Sequence, residues 1–508
     1  MTIWIPDLAG ARGPRYVAIA DAIAGAIADG SLADGTRLPT HRDLAFRLGC
    51  TVGTVSRAYA LAERQGLIAG QVGRGTFVTS GRPGLPALAP GADRPELGAA
   101  GIVGREAPGG ATAPGRIDRF RQDRAAPQPA AGLSALRLPL EGDPILDLSC
   151  NLPNVRLARA SLGRHLAGFG DDARFTDLLS YPPASGYRAH RAAIARWVAR
   201  HGVPATHDRV ILTAGTQQAL AAAVMALLQP GEVLLCEDPA YAGLRHVANL
   251  AQVRLHGVAL DPGGMRPDDL DRAARQTGAR AVVVTPTLQN PSTATMDATR
   301  RTEIAACAAR HDLIVVEDDV YGELPWERPP ALAAIAPERV IYVGSLSKCL
   351  APALRFGWAV TPQHLAVRLA EKVSAMTLNT SPLNAELAQR WIAQDAEAEL
   401  PALRRDVAMR QRMVRAALGD LDIRGGADAL HVLLMLPFGW SEPDFLRAAR
   451  EAGIRLAGLD AFRLAPDEGR AGVRLSLGAA ADLQELMAAV ERLANLVRRT
   501  RPAAERVI

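Results

Sequence analysis

A chain of 508 residues is too long for one ordinary core and points to two to four domains. Its 48% hydrophobic and 22% charged residues fit a soluble protein. No apolar run reaches the length of a membrane span, and the N-terminus lacks the basic start and apolar stretch of a secretory signal. Five scattered cysteines without a CxxC pair argue against a disulfide framework and against a metal site, which fits a reducing cytoplasm; a net charge of +5 permits a nucleic-acid partner without demanding one.

In chain order, residues 14–29 place Val17, Ala20, Ile23 and Ile27 at helical spacing, and Gly30 ends that helix. Thr40 can cap a second helix over 41–48 that carries Leu44, Ala45 and Leu48 inward. Thr51 caps a third, through about Gln65, with Val52, Val55, Tyr59, Leu61 and Ala62 as core candidates. Two short strands follow, around Leu67-Ile68 and Gly75–Thr79, joined by a tight loop at Gly73-Arg74. Three short helices and a hairpin make a winged helix-turn-helix, whose third helix would enter the major groove while the wing touches the backbone.

The wording LPTHRDLAFRLG, TVGTVSRAYALAERQGLI and GRGTFV resembles the GntR family of bacterial repressors. The resemblance implies double-stranded DNA as partner, with Arg42, Thr51, Thr54, Ser56, Arg57 and Arg74 as contact residues. One departure stands out: the family usually has an arginine just after the third helix begins, and this chain has Val52-Gly53. Eight arginines against six acids in residues 1–80 give a local charge of only +2.

From Ser80 to about Leu140 Gly, Pro and Ala dominate and periodicity vanishes, as in an inter-domain linker; Arg116–Arg121 is its one basic interruption. The expected domains are therefore 1–80, a linker over 81–140, and 141–508.

Beyond Ile145 apolar β-branched runs alternate with helical stretches. Strands are expected at 210–213, 233–236, 253–255, 281–285, 313–317, 340–343 and 358–360, with helices such as 217–228 and 300–311 between them. This is a layered α/β domain with a mostly parallel sheet, in which ligands bind at the carboxyl ends of strands. The informative residues fall there. Ala214-Gly215-Thr216-Gln217 opens a helix with small residues and a hydroxyl, as a phosphate site requires. Tyr241 and the Gln289-Asn290-Pro291 turn each follow a strand. Glu317-Asp318-Asp319 ends another, where buried acids call for a cation facing them; Asp319 reads as an ordinary turn acid. Last comes Ser345-Leu346-Ser347-Lys348, with Arg355 seven residues on. Only two of the 58 basic residues are lysines, Lys348 and Lys372. Arginine can replace lysine as a charge but not as an amine that must lose its proton and attack a carbonyl.

In this order the motifs resemble the fold-type I aminotransferases, over roughly 145–500. The resemblance implies pyridoxal 5'-phosphate held as an aldimine by Lys348. Asp318 would pair with the pyridine nitrogen, Asn290 and Tyr321 would bond the ring oxygen, and Tyr241 would stack on the ring. Gly215, Thr216, Gln217, Ser345, Ser347 and Arg355 would hold the phosphate, joined by Tyr181 of a neighbouring subunit. Arg474 would grip a substrate carboxylate, and side chains around 150–155 and 375–385 would set selectivity. A GntR-type reader fused to such a domain, with its large and small subdomains, is the arrangement of the MocR regulators. That implies a cytoplasmic, PLP-dependent transcription factor, a head-to-tail homodimer, with PLP or its adduct with an amine or amino acid as effector. The rival reading is a working aminotransferase with an accessory DNA-binding domain.

Overall fold

The computed structural model describes residues 4–6, 15–64, 67–71, 75–79, 145–464 and 470–498. The expected linker, the wing loop with Arg74, and residues 465–469 lie outside them. The chain divides into two compact units. No helix among the described residues is long and apolar enough to cross a membrane.

In the first unit, helix α1 (Arg15–Ala28) buries Ile19, Ala20, Ile23 and Ala26. Helix α2 (His41–Arg47) starts at Thr40, whose hydroxyl accepts from the Asp43 N–H at 3.2 Å. Helix α3 (Val52–Arg64) turns Val55, Ala58, Tyr59 and Ala62 into the same core. Strands β1 (Ile68–Gln71) and β2 (Gly75–Val78) pair antiparallel, Ile68 opposite Val78. The Tyr59 hydroxyl donates to the Pro39 carbonyl at 2.8 Å and its ring meets that of His41 edge-on, which fixes α3 against α2. Val52 corrects the sequence reading. It is 45% exposed, because the first turn of α3 projects beyond the core that Val55 begins. Leu48 and Leu61 are half-buried at the rim.

The second unit opens with β3 (Leu146–Asp147). Its large sheet comprises β4 (Val210–Thr213), β5 (Val233–Asp238), β6 (Arg254–Asp261), β7 (Gly264–Met265), β8 (Ala281–Val284), β9 (Ile314–Asp318), β10 (Val340–Ser345) and β11 (Gly357–Val360). The strand order is β4-β11-β10-β9-β8-β5-β6-β7. The five central strands β10, β9, β8, β5 and β6 run parallel, while β11 and β7 are antiparallel to their neighbours. Strand residues alternate between two cores. Leu212, Leu235, Val282 and Val315 face one, and Ile211, Leu234, Val283 and Val316 face the other. Burial on both faces explains the continuous apolar runs.

A second sheet, β12-β13-β16-β15, is built from Ile423–Arg424, His431–Met435, Gly472–Ser476 and Ala457–Gly458. Between them β14 (Ile454–Arg455) pairs parallel with β3, which ties the start of this unit to its small subdomain. Helices Ala396–Leu418, Glu442–Glu451 and Leu483–Arg498 enclose its core. Three of these five strands have two residues each, too short for sequence periodicity to register.

Candidate functional site

The carboxyl ends of β4, β5, β8, β9 and β10 open on a cavity of about 560 Å³. Of the residues singled out in the sequence, Thr216, Gln217, Tyr241, Asn290, Asp318, Tyr321, Ser347, Lys348, Arg355 and Arg474 line it. They come from stretches far apart in the chain, converging because parallel strands deliver their ends to one edge.

Lys348 follows the end of β10, and its Nζ donates to the Asn151 carbonyl at 2.5 Å. Burial, and next the charge of Arg474, push this amine down to about 8. Far more of it is uncharged at neutral pH than of an ordinary lysine, and the uncharged form is the one that attacks.

At the end of β4 the chain turns at Gly215, with φ +95°, into the helix Thr216–Leu227. A side chain at 215 would come within 2.6 Å of the Arg355 guanidinium, so only glycine allows the arginine to lie across this turn. Arg355 Nη2 donates to the Ala214 carbonyl at 2.6 Å. The Thr216 hydroxyl donates to that of Ser345 at 3.0 Å, and Ser345 accepts from the Ser347 N–H. Helix N-terminus, hydroxyls and guanidinium thus meet at one corner, donor groups of the kind that suit an anion. Gln217 is partly engaged elsewhere, since its Nε2 donates to the Gly243 carbonyl at 2.9 Å while Oε1 is buried without a partner. Gly243 went unnoticed in the sequence. A Cβ there would meet the Tyr241 ring at 2.4 Å, so Gly243 is what lets that ring lie where it does.

Asp318 ends β9 with its carboxylate buried; the Val320 N–H is its hydrogen-bond donor, and no cationic side chain among the described residues pairs with it. Burial raises its acid to about 7. Glu237, deeper on β5, is pushed to about 8 by burial although Thr285 N and Gln289 Nε2 both donate to it. Asp319 corrects the sequence reading. It does open a turn, its carbonyl accepting from the Gly322 N–H, but it is no ordinary turn acid: its side chain is a buried anion bonded to Arg328 at 2.6 Å and to the Tyr342 hydroxyl at 2.5 Å. Two successive acids at the end of one strand thus differ, because the pleat sends Asp319 into the core beside a guanidinium and Asp318 to the cavity.

Arg474, on β16, donates from Nη1 to Asn290 Oδ1 at 2.8 Å and from Nη2 to the Ser149 carbonyl; its Nε is buried without a partner. The Phe462 ring lies 4.9 Å from its guanidinium carbon. Asn151 belongs to the segment expected to set selectivity, but its partners were not legible in the sequence. Its Nδ2 faces both the Tyr321 hydroxyl at 3.0 Å and His431 Nδ1 at 2.9 Å, and its Oδ1 is buried without a partner. His431, also unnoticed, is held neutral by burial, which pushes its pKa down to about 3. His431 opens the buried strand β13, whose apolar run carried no sign that its first residue faces Asn151.

Tyr181 is 82% exposed and lies outside the cavity lining. Cys150, Asn151 and Leu152 of the expected selectivity segment line the cavity, whereas no residue of 375–385 does.

In the first unit, Thr51, Val52 and Gly53 are exposed where α3 begins, and Arg57 is exposed about one turn beyond Gly53. The hydroxyls of Thr51 and Thr54 lie 2.9 Å apart, and Thr51 also accepts from the Thr54 N–H. The Ser56 hydroxyl is shared with His41 Nδ1 at 3.1 Å, so it also holds α2 to α3. Arg42 lies on α2.

The residues fit pyridoxal phosphate on their own geometry. There is a buried carboxylate at the cavity without a cation, a glycine turn that leaves room for a guanidinium beside a helix N-terminus, and an amine with lowered basicity. Residues 147–493 match the family described as aminotransferase class I and II, and residues 15–78 match that of bacterial regulatory proteins, gntR family. The chain is 26% identical to an uncharacterized HTH-type transcriptional regulator of Bacillus subtilis, YdeF, over 95% of this chain and 94% of that protein. It is 30% identical to a 2-aminoadipate transaminase of Thermus thermophilus, over 54% of this chain and 71% of that one. A kynurenine aminotransferase structure from Pyrococcus horikoshii superposes with a TM-score of 0.66 at 25% identity, over 75% of this chain and 98% of that one.

Proposed function

Because the chain belongs to the aminotransferase class I and II family, with pyridoxal phosphate as its cofactor, and carries a GntR-family domain ahead of it in the MocR arrangement, we propose that it is a DNA-binding transcriptional regulator that senses pyridoxal phosphate or an amino compound at Lys348. The observation that carries the reading is the lining of one cavity by Lys348, Asp318, Arg355 and Arg474.

Pyridoxal phosphate, when bound, supplies an aldehyde that amines capture reversibly and a ring that draws electrons from what is captured. The chain's own residues do the rest. Lys348 presents its amine beside the Asn151 carbonyl. Asp318 offers a buried negative charge to a protonated ring nitrogen, which is the partner its burial demands. Arg355, Thr216, Ser345 and the turn at Gly215 hold the phosphate, with Tyr241 against the ring. Arg474 takes a ligand carboxylate, for which a planar guanidinium is suited.

We assign the reader to residues 1–80, the linker to 81–140 and the sensor to 141–508. Thr51, Thr54, Ser56, Arg57, Arg42 and Arg74 read or clamp DNA. The working form is a cytoplasmic head-to-tail homodimer in which Tyr181, exposed on one copy, reaches the phosphate of the other. Ligand exchange at Lys348 then changes the spacing of two DNA readers.

The complete set of Lys348, Asp318 and Arg474 also favours a second reading, a working aminotransferase. Fluorescence-anisotropy binding of the full chain to genomic DNA fragments, with and without amino acids, separates the two. The regulator predicts a shift in DNA affinity without oxoacid release, absent in Lys348→Ala. Steady oxoacid production with unchanged DNA binding would favour the enzyme.

A further inference from the structure

Resting on the reading of Lys348 as the amine sensor, the geometry points to the class of ligand: an α-amino acid whose side chain carries no charge. The charged groups lining the cavity are few, and each has a task. Lys348 is the amine, Arg355 serves the phosphate corner, Arg474 serves the carboxylate, and Asp318 is the single acid, facing the ring. None of these is left over, among the described residues, to meet a charge on the ligand's side chain. A buried charge without a partner costs far more than a buried methyl group gains.

The wall around Arg474 is uncharged. Phe462 lies against its guanidinium, and Ala457 stands directly opposite it in the strand register. Cys150 adjoins Ser149, whose carbonyl Arg474 holds, and Leu152 and Ala461 complete this side. Burial pushes the Cys150 thiol up, so it too stays neutral. A ligand fixed by its amine at Lys348 and its carboxylate at Arg474 must lay its side chain along this wall. His246 adds one hydrogen-bonding group for a polar but neutral end.

The test is a titration of the full-length protein, loaded with pyridoxal phosphate, with L-leucine, L-phenylalanine, L-glutamate and L-lysine, following the absorption band of the cofactor. Leucine or phenylalanine should half-saturate at a concentration at least about tenfold below that of glutamate and of lysine. Equal or tighter binding of glutamate or lysine overturns the inference while leaving the sensor reading intact. A band that no amino acid changes overturns the amino-acid arm of the sensor reading, and this inference with it. Ala461→Arg, at a half-buried wall position, should retain the cofactor band and move preference toward glutamate by at least about tenfold. An unmoved preference in that loaded variant also counts against the inference.

Discussion

Arg474 Nη1 donates to Asn290 Oδ1 at 2.8 Å, a bond that joins β16 of the small sheet to the turn after β8 of the large one. The amide expected to serve the ring and the arginine expected to serve a carboxylate are thus one unit. Asn290→Ala should leave a buried guanidinium nitrogen unpaired and destabilise the fold by roughly 1–3 kcal/mol in urea unfolding. Arg474→Leu should act on the ligand as well. An apolar side chain suits the wall beside Phe462 and removes a buried charge, but it leaves Asn290 Oδ1 and the Ser149 carbonyl without their donor, so stability should fall by roughly 1–3 kcal/mol, while affinity for amino acids should fall at least about tenfold relative to amines without a carboxylate.

The amine of Lys348 is lowered to about 8, first by burial and then by Arg474. Only the deprotonated form attacks an aldehyde. Covalent capture of added pyridoxal phosphate by cofactor-free protein, trapped with borohydride and followed by mass, should therefore rise with pH through about 8. Removing the neighbouring positive charge in Arg474→Leu should move that midpoint upward, and Lys348→Ala should show no capture at this site.

Asp319 and Arg328 form a buried ion pair completed by the Tyr342 hydroxyl. Asp319→Ala strands the guanidinium and should cost about 3–5 kcal/mol, read as a lower urea midpoint. Tyr342→Phe removes one hydrogen bond to a charged group and should cost about 1.5–3 kcal/mol.

Arg57 stands exposed on α3, about one turn beyond Gly53. Arg57→Ala should weaken specific DNA binding by roughly 1–3 kcal/mol if it meets a base edge. If it meets a phosphate, the loss should be uniform across sequences and the salt dependence should fall by about one counterion. Salt titrations on specific and scrambled DNA distinguish the two, and the cofactor band should be unaffected in both.

Much of the fold was legible because its cause is local. Strands buried on both faces must be apolar at every position, so β4, β5, β8, β9 and β10 stand out as runs such as Val210–Thr213 and Ala281–Val284. The residues at their ends stand out for the same reason, since Asp318, Asn290 and Lys348 interrupt apolar segments. The two-residue strands of the small sheet carry no such pattern, and with them went the surroundings of Arg474.

The sequence by itself determined which groups this protein possesses: one of only two lysine amines among 58 basic residues, an acid at a strand end, a glycine before a helix, a helix capped by Thr51. Tertiary structure alone decided their company. It set Asp319 against Arg328 rather than in solvent, Val52 outside the core, Asn151 and His431 behind Tyr321, and an uncharged wall beside Arg474. The reason is physical. Residue type and spacing fix what a side chain can do and which way a strand or helix turns it. Which partner it meets depends on contacts between segments hundreds of residues apart, such as Arg474 with Ser149, and no local pattern encodes those.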